Sequence, residues 1–263
     1  MKTIILFPLF LLTGLPFLHA QEPGSDFKWP GQYQAAVCLT YDDGLDCHID
    51  IAIPMLDAYD LKGTFYCTGF SNSLRNRMQE WRAITENGHE IGNHTLFHPC
   101  NGARFDWVKP EYDLRTYTMS QLRNELMTAN TFLTAVDGIK ERTFAYTCSD
   151  FEVNNVSFID SLRNLFVAAR SDGPIPDSMD MLDLHFAPSW GVVDPSGTDL
   201  INYVKKAQER GTIAIFMFHS VGGGYLNVSK EAHRALLDYL KSNKDVIWTD
   251  TFMNVMEYVK SAR

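Results

Sequence analysis

Short apolar runs alternate with helical patterns along almost the whole chain, and this alternation constrains the fold more than any other feature. Residues 35–41, Ala-Ala-Val-Cys-Leu-Thr-Tyr, form the continuous apolar run that a strand buried on both faces requires. Further strands are expected at 63–67, 89–94, 143–146, 166–170, 212–218 and 246–248. Between and after them the pattern predicts helices over 49–61, 77–86, 118–136, 151–164, 199–210, 229–242 and 251–262. The third of these opens on a capping-box sequence, Thr118-Met119-Ser120-Gln121. About seven parallel strands joined by right-handed helical crossovers make an α/β protein, built as a (β/α) barrel or an open sheet. In a barrel the chemistry gathers at the C-terminal ends of the strands.

Composition narrows the partners. The 263 residues are 45% hydrophobic and carry a formal charge of −9, which excludes a disordered chain and disfavours binding to nucleic acid or anionic membrane by general electrostatics. Met1-Lys2 precedes an apolar run that starts at Ile4 and fades by Phe17, and Ala20 offers a small residue before the polar Gln21-Glu22. Residues 1–20 therefore read as a secretory signal, too short and too proline-interrupted to span a membrane. Its removal leaves 21–263 as one domain, secreted or periplasmic, with no membrane span. The five cysteines, Cys38, Cys47, Cys67, Cys100 and Cys148, cannot all pair internally and contain no Cys-x-x-Cys; one or two bridges are open.

The expected strand ends collect a chemically coherent set. The first ends in Asp42-Asp43-Gly44, the third in His94 with His98 four residues on, and the strand after Gly211 ends in His219. Two imidazoles four apart on a helical turn would point the same way and bind one divalent cation, and a carboxylate from a neighbouring strand completes a facial triad. Adjacent carboxylates allow one to ligate while the other works as a base. A histidine across the pocket could then protonate a leaving group.

These residues carry a resemblance to a known family. Thr40-Tyr41-Asp42-Asp43-Gly44, the stretch from Gly88 to Pro99 with its His94-Thr95-Leu96-Phe97-His98, and Phe216-Met217-Phe218-His219 resemble the first, second and last motifs of the NodB-type polysaccharide deacetylases, carbohydrate esterase family four. The resemblance covers roughly residues 30–260. It implies a distorted (β/α) barrel, often of seven strands, and metal-dependent hydrolysis of acetyl groups, chiefly N-acetyl, on an acetylated glycan. It further implies that Asp43, His94 and His98 ligate the metal, with zinc the best suited, that Asp42 is the general base, and that His219 is the general acid.

The third motif departs from the pattern. In Phe144-Ala145-Tyr146-Thr147-Cys148-Ser149-Asp150, Ala145 stands where the family has an arginine that pairs with the base carboxylate, and Cys148 where it has an aromatic residue. A backbone N–H in this stretch would still serve the oxyanion hole. Arg170, at the end of the next strand, is the candidate replacement. Tyr146, Cys148, Arg170 and Trp190 are the expected substrate-side residues, with Trp190 as a pocket wall and Asp180 or Asp183 as candidates for an acid behind His219. His89 is expected beneath the second motif and His233 on a surface helix. Phe105, Trp107, Tyr112 and Tyr117 could stack on sugar rings, and Gly222-Gly223-Gly224 forms a flexible loop beside the pocket. Two other readings compete. A glycan-binding protein with weakened chemistry would have no need of Asp42 and His219. A non-haem iron oxygenase shares the two-histidine, one-carboxylate set but not this chain order.

Overall fold

The computed structural model describes residues 27–263; the expected signal segment lies outside the described residues. Among the described residues ten strands occur in chain order: β1 (Ala35–Asp42), β2 (Thr64–Cys67), β3 (Glu90–Asn93), β4 (Phe144–Ala145), β5 (Glu152–Val153), β6 (Val156–Ser157), β7 (Ala169–Asp172), β8 (Ala187–Gly191), β9 (Ile213–Phe218) and β10 (Ile247–Thr249). The helices are α1 (Ile53–Ala58), α2 (Asn72–Asn76), α3 (Met78–Glu86), α4 (Met119–Asp137), α5 (Ile159–Leu162), α6 (Gly197–Arg210), α7 (Lys230–Ser242) and α8 (Phe252–Ser261).

Strands β1, β2, β3, β4, β7, β8 and β9 pair in parallel in that order, and β9 pairs back onto β1, closing a seven-stranded barrel with helices outside. One edge of β1 is divided. Its first half, Ala35–Val37, pairs with β10, and its second half, Thr40–Asp42, pairs with β2. The expected strand at 246–248 thus lies outside the closed ring. The ring is completed instead by β8, its sixth strand, whose Ala-Pro-Ser-Trp-Gly sequence carries no apolar signature. The expected helix over 151–164 is a β5–β6 hairpin followed by the four-residue α5. Asn154 and Asn155 both take positive φ, 48° and 60°, as a tight two-residue hairpin turn requires.

Strand parity sets what faces the barrel axis. Ala36, Cys38, Ala145, Ala168, Ala187, Ile213 and Ile215 form the inner cluster around Tyr66, whereas Ala35, Val37, Leu39 and Tyr41 pack outward against the helices. The interior is narrow, so its residues are mostly small. At Gly92 any Cβ would lie 2.3 Å from the Tyr66 ring, so only glycine leaves room for that ring. The same parity points Asp42 inward, and Asp43 then turns away at φ 77°.

Candidate active site

Asp42 is buried at the C-terminal end of β1, and its partner arrives from across the barrel. Arg170 Nη2 lies 2.7 and 2.6 Å from the two Asp42 carboxylate oxygens. Arg170 Nη1 donates to Ser189 Oγ at 3.1 Å, Ser189 Oγ donates to the Ser171 carbonyl at 2.6 Å, and the guanidinium sits 5.1 Å from the Tyr66 ring centroid. Ala145 and Arg170 are register partners on adjacent strands β4 and β7. A guanidinium thus reaches Asp42 from the strand next to Ala145, at the same height in the barrel.

Asp43, His94 and His98 converge as expected, though not by a helical turn. The strand β3 ends at Asn93, and the chain curls through Thr95 and His98 at φ 66° and 57°. Side chains hold this curl in place. Asn93 Oδ1 accepts from the Thr95 N–H at 2.7 Å, Thr95 Oγ1 accepts from the His98 N–H at 2.9 Å, and Glu125 Oε1 on α4 accepts from the Leu96 and Phe97 N–H groups at 3.1 and 2.9 Å. Asp43 Oδ1 then lies 3.5 Å from His94 Nε2 and 3.4 Å from His98 Nε2.

The tautomers suit a cation. His94 Nδ1 lies 2.8 Å from the Ala145 carbonyl, which can only accept, so Nδ1 carries the proton and Nε2 presents its lone pair. His98 Nδ1 contacts Cys100 Sγ at 3.4 Å. Cys100 is bridged to Cys148, so its sulfur has no proton to give, and His98 Nε2 is again the free acceptor. Three ligand atoms of Asp43, His94 and His98 lie within 4.8 Å of one another, a spacing that one divalent ion can span. Burial raises the Asp43 carboxyl, but His98, His94, His219 and the Tyr225 hydroxyl outweigh it and hold the group below its usual range. Burial and the neighbouring His94 lower His98, which favours its neutral imidazole.

His219 follows β9, with Nε2 4.0 Å from Asp43 Oδ2. Its main chain is held by His48. His48 Nδ1 accepts from the Leu45 N–H at 3.2 Å, and its Nε2 donates to the His219 carbonyl at 2.9 Å. Burial lowers His48 to about 4, so it remains a neutral strut. Among the described residues, the buried His219 Nδ1 has no hydrogen-bond partner. Neither expected acid stands behind it: Asp183 accepts from the His185 N–H and pairs with Arg163, and Asp180 is exposed.

A cleft of about 730 Å³ joins these groups, with Asp42, Asp43, His94, His98 and His219 on its floor and Phe105, Trp107, Tyr225 and Leu226 at its walls. Tyr146 and Cys148 also line it. The Tyr146 hydroxyl, however, is committed to the His185 carbonyl at 2.7 Å and its N–H to the Arg170 carbonyl at 3.1 Å, so it contributes packing. Cys148 is half of a disulfide that fastens this turn to the His98 loop. Trp190 lies elsewhere. Ser189 takes the inward position on β8, so Trp190 faces outward against Tyr203 on α6, with ring centroids 5.1 Å apart. Of the other aromatics, Tyr112 stacks on Phe97 and Tyr117 is buried against Glu125. His89 is buried with Nδ1 accepting from the Gly63 N–H. His233 is also buried, on the inner face of α7 with Leu236, Leu237 and Leu240, and contacts the Tyr41 hydroxyl at 2.7 Å.

The sequence model of the polysaccharide deacetylase family matches residues 32–165, about half the chain. The peptidoglycan-N-acetylmuramic acid deacetylase PdaA of Bacillus subtilis is 25% identical over 112 residues, 42% of this chain and 37% of that protein. A gellan lyase of a Bacillus species is 21% identical over 258 residues, 88% of this chain but 10% of that protein. The chain thus spans well under half the length of these curated relatives. Among solved structures, one from Mycobacterium smegmatis assigned to the polysaccharide deacetylases aligns with TM-score 0.63 at 14% identity, covering 91% of this chain and 95% of that one. A family four acetyl xylan esterase from Clostridium thermocellum, in complex with a cobalt ion, aligns with TM-score 0.56 at 17% identity, covering 87% and 93%. At these identities the likeness establishes a shared fold.

Proposed function

The chain belongs to the polysaccharide deacetylase family, and from that premise we propose that it is a secreted, metal-dependent hydrolase that removes acetyl groups, chiefly N-acetyl, from a glycan. The observation that carries this reading is the convergence of Asp43, His94 and His98 on one point, beside the Arg170-paired Asp42 and facing His219 across a single cleft.

Asp43, His94 and His98 would hold the cation, and zinc suits two imidazoles and a carboxylate. Bound there, it supplies Lewis-acid polarisation and lowers the pKa of water. Asp42 takes the proton of the attacking water, since its carboxylate lies 3.9 Å from His94 Nε2 and so borders the same space. Arg170 holds that carboxylate in orientation and balances its charge in the barrel interior. The turn at Cys148, which lines the cleft, supplies backbone N–H to the developing oxyanion. His219 protonates the leaving nitrogen as the tetrahedral species collapses. Phe105 and Trp107, with ring centroids 5.6 Å apart at the wall, offer a face on which a sugar ring can stack.

An altered third motif was the ground for a binding-only reading. The pairing of Arg170 with Asp42 removes that ground, because the base retains a guanidinium partner. The experiment is an acetate-release screen over N- and O-acetylated glycans with defined metals. Release by wild type and none by Asp42→Asn supports hydrolysis; release by neither on any acetylated glycan contradicts it.

A further inference from the structure

Asp43 presents its two carboxylate oxygens to different neighbours. Oδ1 faces the Nε2 atoms of His94 and His98, the side where a cation would sit. Oδ2 faces away, toward His219 Nε2 at 4.0 Å, and accepts a hydrogen bond from the Tyr225 hydroxyl. The Tyr225 ring also packs 5.6 Å from the His219 ring.

Tyr225 reaches this position from the tip of a loop whose base is pinched shut. Gly222 N–H donates to the Val228 carbonyl and Val228 N–H to the Ser220 carbonyl, each at 2.9 Å. Asn227 Oδ1 accepts from the Gly223 N–H at 2.6 Å, and its carbonyl accepts from the Asp194 N–H at 2.8 Å. Between these anchors Gly222, Gly223 and Gly224 take φ of 83°, 131° and 117°, a path that favours glycine, and it carries the tyrosine over the mouth of the cleft. Tyr225 is 52% exposed, an arrangement that core packing does not require.

We propose that Tyr225 is a positioning residue of the metal site: its hydroxyl pins Asp43 Oδ2, which keeps Oδ1 on the cation and Oδ2 off His219. This rests on the ligand set proposed above and extends it to an outer partner. Groups that hydrogen-bond a ligating carboxylate fix its orientation, and their loss weakens metal affinity. Without the hydroxyl, Asp43 Oδ2 has His219 as its nearest partner, and rotation toward it carries Oδ1 away from the two imidazoles.

The test strips wild type, Tyr225→Phe and Tyr225→Ala of metal and titrates each with Zn²⁺ alone against a competing chromophoric chelator. The expected result is one site in every case, with affinity reduced about 10- to 100-fold in both variants. Acetate release by Tyr225→Phe should recover when Zn²⁺ is raised to saturation, which a general packing defect would not allow. Wild-type affinity in Tyr225→Phe overturns the inference, whether or not Tyr225→Ala is weakened. Failure of wild type to bind Zn²⁺ overturns the ligand set itself and this inference with it.

Discussion

Arg170 on β7 grips both carboxylate oxygens of Asp42 on β1, 128 residues earlier in the chain, with a single guanidinium nitrogen at 2.6–2.7 Å. Arg170 is the register partner of Ala145, so the positive charge enters one strand over from the position where the third motif was expected to carry it. A buried carboxylate without a partner is costly, and one whose two oxygens are both held by a guanidinium nitrogen is compensated and aimed.

Replacing this arginine separates orientation from metal binding. Arg170→Lys keeps a charge but loses the second nitrogen that anchors the group to Ser189, and its turnover should fall by about two orders of magnitude with metal content unchanged. Arg170→Ala should also lose about 3–5 kcal/mol of stability, because it leaves Asp42 buried and unpaired. Steady-state acetate release, metal analysis and denaturant titration read the three quantities. Unchanged turnover in both variants would remove Arg170 from the account.

The Cys100–Cys148 bridge closes a loop with a sequence separation of 48 and ties the His98 segment to the Cys148 turn. Chain entropy for a loop of that size corresponds to about 4 kcal/mol. The Cys100→Ser, Cys148→Ser double variant should therefore melt well below wild type, and it should bind metal less tightly because His98 Nδ1 loses its neighbour at Cys100 Sγ. Equal melting temperatures and equal metal affinity would show that the bridge is dispensable.

Acid sensitivity should trace to histidines buried neutral. Burial lowers His233 to about 3, whereas an unfolded histidine titrates near 6.5. Between those values the unfolded chain takes up a proton that the folded chain refuses, so stability falls as pH drops below about 6.5, by up to about 1.4 kcal/mol per pH unit for this group. His233→Gln should flatten the dependence of unfolding free energy on pH between 6 and 4 by roughly that slope. A variant curve parallel to wild type would mean that His233 titrates normally in the fold.

What was legible in the sequence follows from strand parity and strand ends. Asp43 and His219 could be placed because each follows an apolar run, and a barrel brings such ends together, whereas His94 follows Glu-Ile-Gly-Asn and rested on the second motif instead. Arg170 could be suspected for the same reason as Asp43 and His219. Trp190 could not be placed, because β8 is a Pro- and Ser-containing strand without an apolar pattern, and only its register shows that Ser189 faces in. His233 was legible in principle, since it sits three, four and seven residues before Leu236, Leu237 and Leu240 on one helical stripe. Tyr225 and the Cys100–Cys148 pairing left no such signal. Each depends on how a loop folds back over the strand ends, which neither periodicity nor spacing records.

The most direct test is a metal reconstitution that reads stoichiometry and acetate release together. Stripped protein is titrated with Zn²⁺, and release from an acetylated amino-sugar oligomer is followed at each step. Wild type should reach its plateau at one equivalent, Asp42→Asn and His219→Ala should bind one equivalent and release nothing, and His94→Ala should bind none. Acetate release that survives metal stripping, or a full equivalent retained by His94→Ala, would contradict the account.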